Sequence, residues 1–356
     1  MLERHLSYFR CPATQNKVTG IDVQERRSIN GVEHIYQANV QFGDQTYRVR
    51  DGILQLGAHK NEELYNKMWE ASDSSNRVVV GQDAREALLS LLGSKTFGFL
   101  EGKTMVDVGA GLGYRSQAAA QLGADVITLD SSFEGLKRGM QRMAEQLSSD
   151  QFARIDFVQA NIMETVFNPQ QFDVVFSSWA LHHTPSTRQA LETISPYLKQ
   201  NGYLAVTVYV PYFPHTIWMC RSEVLSVPRE VRQRALAKTG ILPQSGVEPI
   251  VNIPEIIKKI ESDPDTAQIA AAVGLSFLTH RENLDTEYMW VQTAEEVAKW
   301  MKNKGLFVDY QRGGTIVGRS LKPGLINYAQ KYYNSSQVLG RLKKLSPIHR
   351  AKSILP

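Results

Sequence analysis

Cysteine is nearly absent: only Cys11 and Cys220 occur in 356 residues. Two distant thiols exclude a disulfide framework and a four-thiolate zinc site. No run of 18 or more apolar residues is present, so no transmembrane helix is expected. The first ten residues include Glu3, Arg4, His5 and Arg10 and lack an apolar signal core, so a cytoplasmic location is expected. Internal repeats and low-complexity segments are also missing. The net charge of +4 is too small to argue for nucleic acid. Acidic residues are absent after Asp309, where Arg312, Arg319, Lys322, Lys331, Arg341, Lys343, Lys344, Arg350 and Lys352 follow. Such a tail can meet phosphate or anionic lipid, or be a solvated helix face.

What remains is ordinary globular composition, 42% hydrophobic and 21% charged. Residues 1–56 alternate in short runs such as Val40-Gln41-Phe42 and Tyr47-Arg48-Val49. Turn pairs at Asn30-Gly31, Gly43-Asp44 and Asp51-Gly52 separate them, so a small β-rich module is expected. Residues 57–98 are rich in helix formers, with helices expected over Glu62–Trp69 and Asp83–Leu92. Between residues 99 and 210, apolar β runs alternate with helical patterns, the signature of a doubly wound, mostly parallel sheet. The expected strands are Thr104–Val108, Asp125–Leu129, Ile155–Gln159, Asp173–Ser177 and Tyr203–Tyr209. Helices are expected at Tyr114–Leu122 and Ser186–Gln200, the second stopped by Asn201-Gly202. Prolines punctuate residues 211–290, which suggest a helical insertion. Residues 291–320 close the core. Thr293 and Glu296 form a capping box there, and two strands follow around Gly313-Gly314. Residues 321–356 form the basic tail.

The stretch Met105-Val106-Asp107-Val108-Gly109-Ala110-Gly111-Leu112-Gly113-Tyr114 carries the chemistry. A strand runs into a glycine turn and then a helix, whose N-terminal N–H groups are free for a ligand. A second strand ends in Asp130, where a carboxylate can accept both hydroxyls of a ribose. A dinucleotide site would show G-x-G-x-x-G and seat a diphosphate. Here the glycines are spaced G-x-G-x-G, and Asp107 precedes them by two residues, where it would repel a diphosphate. The site suits an amino group or a cationic ligand.

The pattern D-x-G-x-G-x-G resembles motif I of the class I S-adenosylmethionine-dependent methyltransferases. The resemblance continues through Gln171–Ser178, like that family's fourth strand, and Leu198–Leu204, like its "L-K-P-G-G" approach to the fifth. It implies a Rossmann-like fold with a seven-stranded sheet and S-adenosylmethionine as cofactor. By the same resemblance, Asp130 binds the ribose hydroxyls, Asn161 reads the adenine amino group, and Asp107, Gly109, Ala110, Gly111, Gly113, Ser131 and Ile162 also bind the cofactor. Ser177 and Ser178 end the fourth strand beside the cofactor. After them, Trp179-Ala180-Leu181-His182-His183 supplies two histidines. His183, or His182, could act as general base, or could order the loop, as such a pair does in many relatives. Trp179, Tyr209, Tyr212, His215, Trp218 and Tyr288 could line a substrate pocket under an aromatic lid, or be plain core.

The ends of the first module, Leu6-Ser7-Tyr8-Phe9-Arg10-Cys11-Pro12 and Tyr47–Leu54, resemble a small zinc-ribbon-like module found with methyltransferases. Only Cys11 of its metal ligands remains, so no metal is expected. The leading expectation is methyl transfer to O or N of a small molecule. An RNA methyltransferase comes second, suggested by the module and the basic tail, and a non-catalytic scaffold third. A homodimer is compatible with this expectation.

Overall fold

The computed structural model describes residues 1–57, 62, 65, 66, 69, 84–209, 292–312 and 314–321. Strands β1 (Gly20–Ile29), β2 (Val32–Phe42), β3 (Gln45–Arg50) and β4 (Ile53–Gln55) come first. Tight turns join them where the sequence places them. Asn30 and Gly31 have φ of 50° and 74°, and Asp51 and Gly52 have 51° and 81°. Two consecutive positive φ values match the right-handed twist of paired strands, and Asn-Gly and Asp-Gly adopt them at little cost.

The α/β core follows. Strands β5 (Thr104–Val108), β6 (Asp125–Asp130), β7 (Ile155–Gln159), β8 (Phe172–Ser178) and β9 (Leu198–Thr207) are parallel neighbours in the order β7-β6-β5-β8-β9. Helix α1 (Ala84–Leu91) precedes β5, α2 (Tyr114–Gln121) follows it, and α3 (Phe133–Gln146) follows β6. The short α4 (Ser149–Phe152) precedes β7, and α5 (Thr187–Ile194) lies between β8 and β9. Helix α6 (Ala294–Asn303) then leads to β10 (Leu306–Arg312) and β11 (Thr315–Ser320). Strand β11 pairs antiparallel with β9, which completes the expected doubly wound arrangement of seven strands.

The sheet is larger than expected. Strand β4 pairs parallel with β7 through Leu54↔Val158 and Gln55↔Gln159, giving one sheet of eleven strands. Residues 1–56 thus extend the core sheet. An aromatic cluster fastens them to it: Phe167 has ring centroids 5.3 Å from Phe9, 5.0 Å from Phe172 and 5.2 Å from Tyr197. Each such pair contributes about 0.5–1.5 kcal/mol beyond its buried area. Asp156, buried in β7, accepts hydrogen bonds from Leu2 N at 3.0 Å and from His5 Nδ1 at 3.2 Å. Cys11 is buried, its sulfur 3.6 Å from the Tyr47 hydroxyl.

The capping box on α6 forms as expected: Thr293 Oγ1 accepts from Glu296 N and Glu296 Oε2 from Thr293 N. One boundary differs. The helix expected over 186–200 ends at Ile194, a turn at Ser195–Tyr197 carries Pro196, and β9 begins at Leu198. Proline removes a helical hydrogen bond. Asn201-Gly202 lies inside β9, at an irregularity between Phe172↔Leu198 and Val174↔Tyr203. A Cβ on Gly202 would meet Asp173 O at 2.8 Å, so glycine is needed where the strands press together. The helix expected over 62–69 is helical at its four described residues. The insertion at 211–290 and the tail beyond 321 lie outside the described residues.

Candidate functional site

The crevice at the carboxyl ends of β5, β6 and β8 gathers most of the expected residues. At the end of β5 the chain turns through Gly109, Gly111 and Gly113, with φ of 74°, 56° and 70°. Each glycine has a different neighbour where its Cβ would stand. A Cβ on Gly109 would lie 2.2 Å from Ala180 Cβ, on Gly113 2.3 Å from Met143 Cε, and on Gly111 2.4 Å from Trp69 Cζ2. These separations are far inside van der Waals contact.

Two carboxylates flank the turn. Asp107, in β5, is 2% exposed and accepts a hydrogen bond from Ser116 Oγ at 2.8 Å. Burial pushes its carboxyl up to about 6. Arg115, half-buried on the first turn of α2, is electrostatically coupled to it. Asp130 ends β6, accepting from Gly111 N at 2.7 Å through Oδ2 and from Ser132 N at 2.8 Å through Oδ1. Burial raises its pKa, against the pull of these N–H groups. Ser131 N is a third backbone donor to this carboxylate, whose remaining lone pair is open to a ligand.

Beyond β7, Asn161 Oδ1 accepts from Met163 N at 3.0 Å, which shapes the loop and leaves that oxygen one lone pair. Ile162 would lie 3.3 Å from a Cβ at Gly109, so it borders the turn. Gln159 Nε2 donates to Ser131 O at 3.0 Å, which ties β7 to the residue after Asp130. Ser177 Oγ donates to Val108 O at 2.8 Å, which spends its hydroxyl on joining β8 to β5. Ser178 Oγ is buried with no hydrogen-bond partner among the described residues.

Past β8, Trp179 has φ of 60° and is 43% exposed. Side chains with positive φ are strained, and such strain collects at functional loops. The His182 ring is fully buried and stacks on Tyr209, with centroids 3.8 Å apart. His183, half-buried, meets His182 edge-on at 4.3 Å and Tyr209 at 5.6 Å. Trp179 lies 5.3 Å from Tyr209. The four rings therefore form one aromatic wall. Tyr212, His215, Trp218 and Tyr288 lie outside the described residues.

Three residues at the crevice were given no role from sequence: Trp69, Arg115 and Gln292. The Trp69 indole reaches both Gly111 and Gly135, since a Cβ on Gly135 would meet its Cδ1 at 2.8 Å. Asn66, from the same segment, accepts from Ser132 Oγ at 2.7 Å. Gln292 is fully buried, and its amide finds no partner among the described residues. Its backbone N donates to Tyr209 O at 2.9 Å, which seats it beside the aromatic wall. A buried amide left unsatisfied is costly and marks a place where a ligand can complete it.

Residues 106–206 match the family model described as a methyltransferase domain. An uncharacterized chloroplastic methyltransferase of Arabidopsis thaliana is 32% identical over 123 residues, 34% of this chain and 35% of that protein. A ubiquinone biosynthesis O-methyltransferase of Haemophilus ducreyi is 28% identical over 145 residues, 41% of this chain and 60% of that protein. The chain thus spans less than two thirds of the length of each of these relatives. A SAM-dependent methyltransferase structure from Aquifex aeolicus shares 14% identity with a TM-score of 0.41, covering 72% of this chain and 98% of that one.

Proposed function

We propose, from residues 106–206 being a class I methyltransferase domain, that the chain transfers a methyl group from S-adenosylmethionine to an oxygen or nitrogen of a small molecule. The observation that carries this is the pair of buried carboxylates, Asp107 and Asp130, around a glycine turn. Their charge opposes a diphosphate and favours a ligand with an amino group, a cationic centre and a ribose. The donor set fits that cofactor. Asp130 would accept from the ribose hydroxyls, Asp107 would face the α-amino group, and Arg115 would balance the α-carboxylate. Asn161 and Ile162 would border the adenine.

The cofactor supplies an electrophilic methyl group on a sulfonium. The chain's contribution is alignment and exclusion of water. Trp179, His182 and Tyr209 wall the crevice and keep water out. His183 accepts the substrate proton on an imidazole nitrogen as the new bond forms. Gln292 offers its amide to a polar group of the substrate. Calorimetric titration with S-adenosylhomocysteine, using NAD as control, tests the cofactor: micromolar binding of the first and none of the second is expected. Tight NAD binding would overturn it.

Two predictions belong here. First, cofactor affinity should depend on pH. Asp107 is ionised above a pKa of about 6 and neutral below it. A neutral carboxyl loses its attraction for the α-ammonium, so affinity falls as pH drops below about 6, by at most tenfold per unit. Asp130 also titrates upward of its usual range, so Asp107→Asn separates the two. Calorimetry across pH 5 to 8 should show a flattened profile in that variant, and an unchanged profile would sink the assignment. Second, once a substrate is in hand, His183→Gln should lower kcat by about 10²-fold or more with KM little changed. A loss confined to KM would demote His183 to a positioning residue.

A further inference from the structure

The sheet face next to α3 carries a polar row unlike the rest of the sheet. Cross-strand partners share a face. Following them from β1 gives Asp22↔Asn39, Asn39↔Arg48, Arg48↔Gln55, Gln55↔Gln159 and finally Gln159↔Asp130. Six strands thus contribute one polar side chain each, and the row ends on the carboxylate at the glycine turn. Over β1 to β4 the row opens into a cleft of about 280 Å³, lined by Gln24, Gln37, Asn39, Arg48, Arg50 and Gln55 with the small Ala38 and Val49. This volume is near the lower end of small-ligand pockets, roughly 300–1,000 Å³.

The charges in this cleft are only partly compensated: Asp51 acts on Arg50 electrostatically, and the Glu62 carboxylate accepts from Gln159 at the row's inner end. Among the described residues, neither Arg48 nor Arg50 takes part in an ion pair, whereas nearby acids are engaged. Asp51 pairs with Lys137 at 2.9 Å and Glu25 with Arg27 at 2.5 Å. Asp22 receives Gln24 Nε2 at 3.5 Å, at the far end of the row. The Arg50 guanidinium lies 3.7 Å from the Phe133 ring centroid, which fixes its plane and leaves its edge donors unspent. Arg48 and Arg50 are two apart on β3, so they share a face about 7 Å apart along the strand. The amides around them offer donors and acceptors together. Gln55 spends Nε2 on Gln159 Oε1 at 2.7 Å and keeps its own carbonyl as an acceptor.

We propose that this cleft is a second binding site, for a phosphate monoester carried on a hydroxyl-rich small ligand. Two guanidinium forks match a group with three terminal oxygens; a carboxylate, with two, is satisfied by one fork. The amides take the hydroxyls. Arg48 stands three strand spacings from Asp130, about 14 Å, so the ligand is distinct from the cofactor. The hydrogen-bonded path Gln55–Gln159–Ser131 connects the two sites.

The test uses the full-length chain without cofactor, so its failure is separate from any failure of the methyltransferase proposal. Ribose 5-phosphate, ribose and inorganic phosphate are the probes, followed by calorimetry and by line broadening in phosphorus NMR. Saturable binding of ribose 5-phosphate is expected, weaker for inorganic phosphate and undetectable for ribose. Arg48→Gln, at an exposed position, should weaken it by about tenfold, and Arg50→Gln likewise. If Arg50→Gln loses its melting transition through the lost Phe133 stack, Arg48→Gln alone decides. Saturating S-adenosylhomocysteine should leave the site open. Four results would each overturn the proposal: no saturation by about 10 mM, equal binding of ribose, inorganic phosphate as tight as the ester, or full affinity in Arg48→Gln.

Discussion

Replacing Asp130 with asparagine should raise the dissociation constant for S-adenosylhomocysteine by about 100-fold, or nearly 3 kcal/mol. Hydrogen bonds to a charged acceptor contribute about 1.5–3 kcal/mol each. The wild-type carboxylate already holds Gly111 N and Ser132 N at 2.7 and 2.8 Å, with Ser131 N as a further backbone donor. An amide in its place has one oxygen. Since each wild-type oxygen takes a backbone N–H, its NH2 opposes one of these donors in either rotamer, and that partner is lost. Fold stability should change less than affinity, because a neutral group replaces a buried charge whose ionisation burial already opposes. Calorimetry reads the affinity and thermal melting reads the fold. An affinity within threefold of wild type would remove Asp130 from the cofactor site.

Gly109→Ala should lower stability by about 3 kcal/mol and abolish cofactor binding. A non-glycine residue at positive φ costs about 1–3 kcal/mol by itself. The added methyl would also lie 2.2 Å from Ala180 Cβ, with Ala180 Cα behind it at 3.6 Å. No flexible side-chain end is available to move aside, so the turn or the loop after β8 must shift. Gly102→Ala is the matched control. Its φ is 67°, yet nothing lies within 4 Å of the added carbon. It should therefore lose only the backbone term, about 1 kcal/mol, with cofactor binding intact. Equal melting temperatures for the two variants would show that Ala180 yields and that the contact is no constraint.

The site's scaffold was legible where its causes are local. The strand, the glycine turn and the acid ending the next strand are set by short-range patterns, and all stand where the spacing puts them. The capping box on α6 is local in the same way. The errors and omissions come from contacts that sequence does not announce. The helix expected over 186–200 breaks at Pro196, and the apolar positions continuing its face, such as Leu198, belong to β9 instead. Gly202 stops no helix; it makes room for Asp173 O. Trp69 lies in a segment read only as helix-forming, and its place against Gly111 and Gly135 is a long-range contact that no local pattern reports. Gln292 precedes a well-marked N-cap, and nothing local announces that the core encloses its polar amide. The pairing of β4 with β7 joins residues a hundred positions apart by two register pairs, and no periodicity reports that.

That pairing has a consequence for association. A mostly parallel core of seven strands ending at β7 would present an unsatisfied row of N–H and C=O groups at its margin, next to Gln159 and Asp130. Such a margin is a template for another chain. Here β4 covers it, and the four-stranded extension carries the open boundary outward to β1, whose residues Arg26, Arg27 and Glu25 are charged. Charged boundary strands resist edge-to-edge addition. The amino-terminal residues thus act as a built-in selvedge, keeping the strands that carry Gln159 and Asp130 in the interior of the fabric.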